Sequence, residues 1–253
     1  MALVDNGMER SQSIFLDVGA HIGESLVEAL RPIYDFDVVY AIEPSELGVK
    51  QLEKFKDKRL RLVRSAAFNQ NGKNTLYGSG SVGGSIFVGK KQNWGRAEVI
   101  DCFKFGDFLA SKEVSRSNLW IKINVEGSEL LLLEEILRVK EYLKIKSILV
   151  SVDIGKINGL KHLEPRLYRC IRDFPFDIRV RSEKEVDVAI NLWLRETTSV
   201  KCVHGIEYLK DQFRLWLPIY MNIRRLAKPL FPKRFWIYFA LKLGPNRTKR
   251  RFI

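Results

Sequence analysis

The sequence predicts an α/β fold with a mostly parallel sheet that helices cover on both faces. Two observations favour this class. Short apolar runs typical of buried strands alternate along the chain with segments of helical spacing, and parallel neighbours need such crossover connections. Several apolar runs also end at acidic or polar residues, at the sheet edge where ligands bind in these folds. The expected sheet has seven strands, and an antiparallel hairpin closes it.

The chain divides into one predicted domain and a basic extension. Of 253 residues, 46% are hydrophobic, which is enough for a substantial core. The net charge of +13 is uneven, because residues 201–253 hold 13 Lys and Arg against two acids, a net +11. Residues 1–200 are therefore nearly neutral, and we expect the chemistry in that domain.

The first half of the chain predicts strands and helices in alternation. In order they are strand 13–18, helix 22–30, strand 38–44, helix 45–57 and strand 61–68. Pro32 stops the first helix, and Ser45 is a good N-cap for the second.

The second half continues this alternation after a segment rich in Gly and Ser at 72–95, which is either a lid over a ligand or a surface hairpin. The elements that follow are strand 97–103, helix 105–112, strand 118–127, helix 128–143, strand 146–155 and helix 160–174. Two last strands, 176–182 and 186–195, have only a short polar link between them, so we expect them to pair antiparallel.

The first strand ends at a glycine-rich turn that begins with an acid. Asp17 precedes Gly19, Ala20, His21 and Gly23. The glycines let the backbone turn tightly and approach a ligand closely. They lie four positions apart, unlike the dinucleotide fingerprint G-x-G-x-x-G. Because Asp17 would repel a pyrophosphate, the turn favours a cationic ligand such as S-adenosylmethionine; an ordinary strand-to-helix turn is the alternative.

Glu43 ends the second strand, 26 positions after Asp17. A carboxylate at this place in nucleotide-binding α/β folds accepts hydrogen bonds from ribose hydroxyls. The alternative is that Glu43 caps the helix that begins near Ser45.

The strand 118–127 ends in a second pair of polar residues. Alternation places Asn124 and Glu126 on one side at the mouth of this strand. A carboxylate there predicts a general base for a substrate hydroxyl. Helix capping by Glu126 or Ser128 is the alternative.

Five segments together resemble the FkbM family of S-adenosylmethionine-dependent methyltransferases. They are FLDVGAHIGES, VVYAIEPSE, SAAF, VIDCFKFGDFL and LWIKINVEGSELLLLEEIL, in the order and at the spacing of the family. The similarity covers residues 13–155, and KIxVEGxE is its most specific part. It implies a Rossmann-like class I methyltransferase fold and O-methylation of a sugar, a glycan or a secondary metabolite.

The resemblance also implies roles for single residues. The cofactor-binding residues are then Asp17, Gly19, Ala20, His21, Gly23, Glu43, Pro44, Ala66 and Ala67. The residues of the glycine-rich turn line the methionine end of S-adenosylmethionine, Glu43 holds the ribose, and the two alanines lie near the adenine. Glu126 faces the transferring methyl group, so the expected catalytic residues are Glu126, Asn124 and His21.

Two positions depart from the family pattern. Asn124 stands where the family usually carries aspartate, so either Glu126 is the base or activity depends mostly on alignment of the hydroxyl. His21 stands where asparagine is common, which favours positioning over proton removal. Two alternative functions are an RNA methyltransferase of the same fold and a binding module of this fold without turnover.

Residues 213–253 interleave aromatic and basic side chains. Their longest uncharged apolar run, FWIYFAL, is far short of the roughly 20 residues that span a bilayer. Three interpretations stay open: peripheral contact with the inner face of a membrane, packing on the domain or a partner, and binding of nucleic acid. The nearly neutral first 200 residues disfavour the last.

The remaining sequence features indicate a cytoplasmic protein without a metal. Cys102, Cys170 and Cys202 are too few and too scattered for a disulfide framework, and the polar N-terminal residues do not resemble a secretory signal. His162 and His204 lack partners at ligand spacing, so we expect no metal site. The acceptor and the oligomeric state are not predicted.

Overall fold

A computed structural model describes residues 11–79, 84–88, 96–181 and 183–198. Strands and helices alternate through these ranges. The strands are β1 Ser13–Val18, β2 Val38–Ile42, β3 Leu60–Val63, β4 Ala66–Phe68, β5 Gly72–Ser79, β6 Arg96–Lys104, β7 Asn118–Ile123, β8 Lys144–Ser151 and β9 Ile178–Arg181. The helices are α1 Glu24–Ala29, α2 Glu46–Leu52, α3 Phe105–Leu109, α4 Lys112–Ser115, α5 Glu129–Arg138, α6 Glu164–Arg172 and α7 Glu183–Thr197. Short 3-10 helices cover Lys140–Tyr142, Ile154–Lys156 and Lys161–Leu163.

The main sheet is parallel and has the strand order β3-β2-β1-β7-β8-β9. Numbered along the chain within this sheet, the order is 3-2-1-4-5-6, which is that of doubly wound nucleotide-binding folds. The predicted α/β, Rossmann-like class is therefore confirmed. From β1 the chain adds β2 and β3 on one side, and it then adds β7, β8 and β9 on the other side. The point between β1 and β7, where the strand order reverses, is the switch point, and ligands of such sheets bind there, outside the carboxyl ends of the strands.

Alternate residues of the central strands face two separate cores. In β1, Leu16 packs in one core with Leu133 of α5, whereas Phe15 packs in the other with Leu26 of α1 and Trp193 of α7. All five β1 residues after Ser13 are buried. Burial on both faces explains why these strands read as continuous apolar runs rather than as alternating patterns.

The predicted closing hairpin is wrong. Residues 178–181 form β9, which pairs parallel with β8, but the predicted strand 186–195 lies in helix α7. Alternating apolar residues suggested a strand, yet Ile190, Trp193 and Leu194 are buried at helical spacing while Leu192 is 57% exposed. The Trp193 indole N–H donates to Ser147 Oγ of β8 at 2.7 Å, which fixes the helix on the sheet. The described ranges thus give six strands to the main sheet instead of seven.

A second, three-stranded sheet has the order β4-β6-β5, with β4 parallel and β5 antiparallel to β6. The predicted strand 61–68 is therefore two strands, β3 in the main sheet and β4 in the small one. Part of the segment 72–95 is also regular, since it contains β5 and a bridge between Tyr77 and Ser85.

The predicted extension 201–253 lies outside the described residues, together with Cys202 and His204. Cys102 and Cys170 are free thiols. Of the helices in the described ranges, none has the length and apolar character to cross a membrane.

Candidate functional site

A cleft of about 310 Å³ lies at the switch point of the main sheet. The ends of β1, β2 and β7 supply one wall, and β4, β5 and residues 84–86 supply the other. The structure brings eight of the predicted site residues together in its lining. They are Gly19, His21, Glu43, Pro44, Ala66, Ala67, Asn124 and Glu126. Ligand binding by these residues stays a prediction.

Position 19 requires glycine because the neighbouring backbone leaves no space for a side chain. Its φ is +79°, and a Cβ atom there would lie 2.0 Å from the Asn124 carbonyl oxygen. Gly23 has a φ of +98°, and its Cβ would meet the Phe55 ring at 2.7 Å. The two glycines therefore permit close approach of β7 and of the chain after α2. Gly23 and Ala20 are buried and lie outside the lining of the cleft.

The amides of the glycine-rich turn are used within the protein. The N–H groups of Gly19 and Ala20 both donate to the Ile42 carbonyl, at 3.0 and 3.1 Å. The His21 N–H donates to Glu43 Oε2 at 2.9 Å. Recognition of a ligand at this turn therefore depends on side chains more than on these three amides.

Asp17 lies beneath the cleft and not in its lining. It is fully buried, and its Oδ1 is 2.9 Å from Lys122 Nζ. Lys122 is 2% exposed, lines the cleft and donates to the Gly19 carbonyl at 3.0 Å. The two residues are direct neighbours in the β1–β7 register. Sequence reasoning missed Lys122, although a lysine inside an apolar strand is a usable signal, because the strand neighbours were not predicted.

Glu43 is buried at the end of β2 and joins two loops. Its Oε1 accepts hydrogen bonds from the Ser45 N–H at 2.9 Å and the Ser45 hydroxyl at 2.5 Å, and its Oε2 accepts from His21. Burial raises the pKa of this carboxyl, and the hydrogen bonds from Ser45 oppose that shift. The predicted capping role falls to Ser45, whose Oγ accepts from the Gly48 N–H at 3.1 Å.

Glu126 is buried, and its backbone is in the left-handed region at a φ of +54°. His21 has a φ of +48°, and these two are the non-glycine residues of the described ranges with positive φ. Such backbone costs about 1–3 kcal/mol per residue and clusters at functional sites. The Ser85 hydroxyl donates to the Glu126 carbonyl at 2.7 Å, which ties the outer wall to this strained turn.

Asn124 carries a buried acceptor without a donor. Among the described residues, its Oδ1 atom is buried and has no hydrogen-bond partner, although the side chain as a whole is partly exposed and lines the cleft. An unpaired buried acceptor costs about 1–3 kcal/mol. Because the atom is buried, a ligand N–H or O–H group removes that cost only when the side chain turns Oδ1 into the cleft.

Glu129, also missed by sequence reasoning, is fully buried behind the cleft. Its Oε1 accepts hydrogen bonds from the Gly127 and Asp153 N–H groups at 2.9 and 3.2 Å. Burial raises its pKa to about 7, and the Asp153 charge adds to this shift. Glu129 supports the turn that carries Glu126 from behind. Its signal in the sequence is the second acid of VEGSE.

The outer wall is pinned to the main sheet at the mouth of the cleft. Glu98 of β6 accepts the Glu46 N–H at the start of α2 at 3.0 Å, and it also accepts the Ser79 hydroxyl. Arg96 forms an ion pair with Glu46 at 2.9 Å. Among the residues that the structure describes, no three His, Cys, Asp or Glu side chains are placed to bind a metal ion.

The sheet order defines a Rossmann-like α/β fold, and the cleft lies at its switch point. Comparison with known proteins adds one structure. No protein-family model and no curated protein matches the chain. The crystal structure of methyltransferase FkbM from Methylobacillus flagellatus KT is similar at 19% sequence identity, with a TM-score of 0.41. The similarity covers 68% of this chain and 41% of that chain, so the chain spans about two fifths of that protein.

Proposed function

We propose that the chain is an S-adenosylmethionine-dependent methyltransferase that acts on a hydroxyl of a sugar, a glycan or a secondary metabolite. One observation carries the proposal: the switch-point cleft is lined by acidic side chains and by Asn124, whose Oδ1 has no hydrogen-bond partner among the described residues. That combination suits a ligand with a nucleoside part and a cationic, N–H-bearing part.

The charges around the cleft favour this cofactor over a dinucleotide. Glu24, Glu43 and Glu126 line the cleft, and Lys122 is neutralised by Asp17. A pyrophosphate would face these carboxylates, whereas a sulfonium and an ammonium group are attracted by them. A turn of the Asn124 side chain would bring its buried acceptor Oδ1 to the ammonium group.

Glu43 retains capacity for a ribose hydroxyl. A carboxylate offers about four acceptor positions, and Glu43 uses three of them within the protein. The remaining position is on Oε2. We therefore expect Glu43 to hold one hydroxyl directly, with a second one reached if the Ser45 hydroxyl turns away.

The bound cofactor supplies an electrophilic methyl group, and the protein has to align the acceptor hydroxyl with it and exclude water. Leu76, Ser79 and Ile86 form the wall opposite the strand ends. This mixture of apolar and hydroxyl groups suits an acceptor that is partly apolar and carries several hydroxyls. His21, Asn124 and Glu126 are the polar groups expected near the transferring methyl.

Titration calorimetry tests the proposal through three variants. We expect the wild-type chain to bind S-adenosylmethionine and S-adenosylhomocysteine and to reject NAD⁺. Asn124→Leu removes the buried acceptor and should weaken binding at least about tenfold, whereas Asn124→Asp should retain it. Glu53→Gln is the control, because Glu53 is exposed at the end of α2 and outside the lining. Absence of binding, or tighter binding of NAD⁺, contradicts the proposal.

A second candidate is an RNA methyltransferase, which the net +11 charge of residues 201–253 favours. Transfer of radiolabelled methyl to total RNA, compared with a pool of glycosides and phenols, separates the two. A binding module without turnover would bind the cofactor with the same variant dependence and label neither pool.

A further inference from the structure

His21 and Glu24 form a pair at the edge of the cleft. His21 Nδ1 lies 2.9 Å from Glu24 Oε1, and the two side chains are 29% and 30% exposed. Because an ionised carboxylate only accepts hydrogen bonds, we assign the imidazole proton to Nδ1. Both line the cleft. They lie on either side of Gly23, the left-handed residue at the start of α1. The left-handed turn at Gly23 therefore brings the two side chains together.

The carboxylate of Glu24 sets the chemical state of the imidazole. A hydrogen bond from Nδ1–H to a carboxylate fixes the proton on Nδ1, so that Nε2 keeps its lone pair. The same bond stabilises the imidazolium that forms when Nε2 takes a proton. The backbone of His21 is fixed too, since its N–H is bound to Glu43 Oε2.

The charged groups that face His21 come from three elements. Burial lowers its pKa, but the hydrogen bond and charge of Glu24, together with the charge of Glu43, outweigh burial and raise the pKa above 6.5. Lys122 of β7 opposes them. The pKa of Glu24 is lowered, because the hydrogen bond and charge of His21 outweigh its burial. Glu24 is thus ionised wherever the imidazole titrates.

We propose that His21 is the base for the acceptor hydroxyl and that Glu24 is its positioning residue. The inference rests on the proposed function and assigns a pair that the sequence did not. The hydroxyl O–H bond breaks and its proton moves to His21 Nε2. The oxygen lone pair forms the bond to the methyl carbon, and the pair of the broken carbon–sulfur bond stays on sulfur as a neutral thioether. The imidazolium then releases the proton to water.

The base works only when the imidazole is neutral, so methyl transfer should rise with pH through the pKa of His21 and level off above it. In Glu24→Gln the carboxylate charge is lost, the pKa falls and the rise moves to lower pH. A purely structural role of Glu24 would leave that profile in place.

The first test is the tautomer and pKa of His21, read by long-range proton–nitrogen NMR on the full chain. The sequence contains three histidines, so His21→Asn assigns the signal. We expect neutral His21 to carry its proton on Nδ1, and Glu24→Gln to lower its pKa by about one unit or more. Glu53→Gln is the control, since it removes one carboxylate that is exposed at the end of α2 and outside the cleft lining. A proton on Nε2, or an unmoved pKa in Glu24→Gln, overturns the pair.

The second test asks whether His21 lies next to the transferring methyl group, and it needs no acceptor substrate. S-adenosylmethionine carries a sulfonium charge that S-adenosylhomocysteine lacks. A sulfonium next to the imidazole should therefore lower the pKa of His21 by about half a unit or more relative to the complex with S-adenosylhomocysteine. Equal pKa values in the two complexes overturn the base assignment and leave the cofactor proposal intact. Failure of the wild-type chain to bind either compound overturns the proposed function, and with it the base.

Discussion

At the scale of single residues, the glycine-rich turn shows that a glycine can be required by the fold rather than by a ligand. The sequence motif predicts glycines that admit a ligand, yet the Gly19 position is closed to a side chain by the Asn124 carbonyl. The motif predicts glycine for a sound reason, because positive φ and close approach require it. Which group approaches could not be predicted, since it depends on the neighbour of β1.

A pair of alanine substitutions separates backbone strain from crowding. Gly159 has a φ of +89° and no atom within 4 Å of the position that a Cβ would take, whereas Gly19 has a similar φ with an atom at 2.0 Å. We expect Gly159→Ala to cost about 1–2 kcal/mol of unfolding free energy and Gly19→Ala roughly 2–5 kcal/mol. Urea denaturation measures both. Equal losses would mean that β7 moves away freely from the turn.

The buried acid Glu129 gives a pH dependence of stability. Its pKa of about 7 in the folded chain exceeds the ordinary 4.5, so the folded state binds more protons and unfolding free energy falls as pH rises from about 4.5 through 7. The contribution is about 3 kcal/mol. Glu129→Gln should be more stable than wild type above pH 7 and nearly equal below pH 4.5. The same change of unfolding free energy with pH in wild type and Glu129→Gln, measured by urea denaturation, would contradict this prediction.

At the scale of elements, the apolar runs predicted where the six strands of the main sheet lie, but not that β9 pairs parallel with β8 or that β4 leaves this sheet. The predicted strand 186–195 is wrong because an alternating pattern and a helical pattern overlap in the same ten residues of α7. The burial of Trp193 decides between them, because its hydrogen-bond partner Ser147 lies on β8. That partner is 46 residues distant and has no local signal in the sequence.

The pairing of β1 with β7 brings Asp17 and Lys122 together, and this pair should be strongly coupled. Lys122→Met leaves the Asp17 charge buried without its ammonium partner, which costs about 3–5 kcal/mol. Asp17→Asn combined with Lys122→Met removes both charges and should recover much of that loss. Thermal and urea unfolding of the four proteins in a double-mutant cycle give the coupling, and additive losses would contradict it.

At the scale of the whole molecule, the charge is distributed unevenly between two parts of the chain. The nearly neutral residues 1–200 contain the cleft, and residues 201–253 carry the net +11. We propose that residues 213–253 contact an anionic membrane surface, where each Lys or Arg contributes about 1 kcal/mol. Such contact would place the cleft near a lipid-linked acceptor.

Vesicle flotation tests this proposal on the full chain. We expect binding to vesicles with anionic lipid, loss of binding in high salt, and none to neutral vesicles. A chain ending at residue 200 is the comparison, provided that it retains cofactor binding. Flotation of both chains to the same extent would assign the contact to the domain instead.

The two outer strands of the parallel sheet also have a consequence for solubility. Strands at a sheet edge present unpaired backbone groups that invite pairing with another chain, and charged side chains oppose this. In the described part of the sheet, Arg61 lies on the edge strand β3 and Arg181 on the opposite edge strand β9, whereas Arg179 of β9 is paired with Glu196 and Asp177. Like charges on both edges repel the edges of a second molecule. Self-association through these strands should therefore increase as salt screens the arginines, and their replacement by neutral β-branched residues should make the chain aggregate.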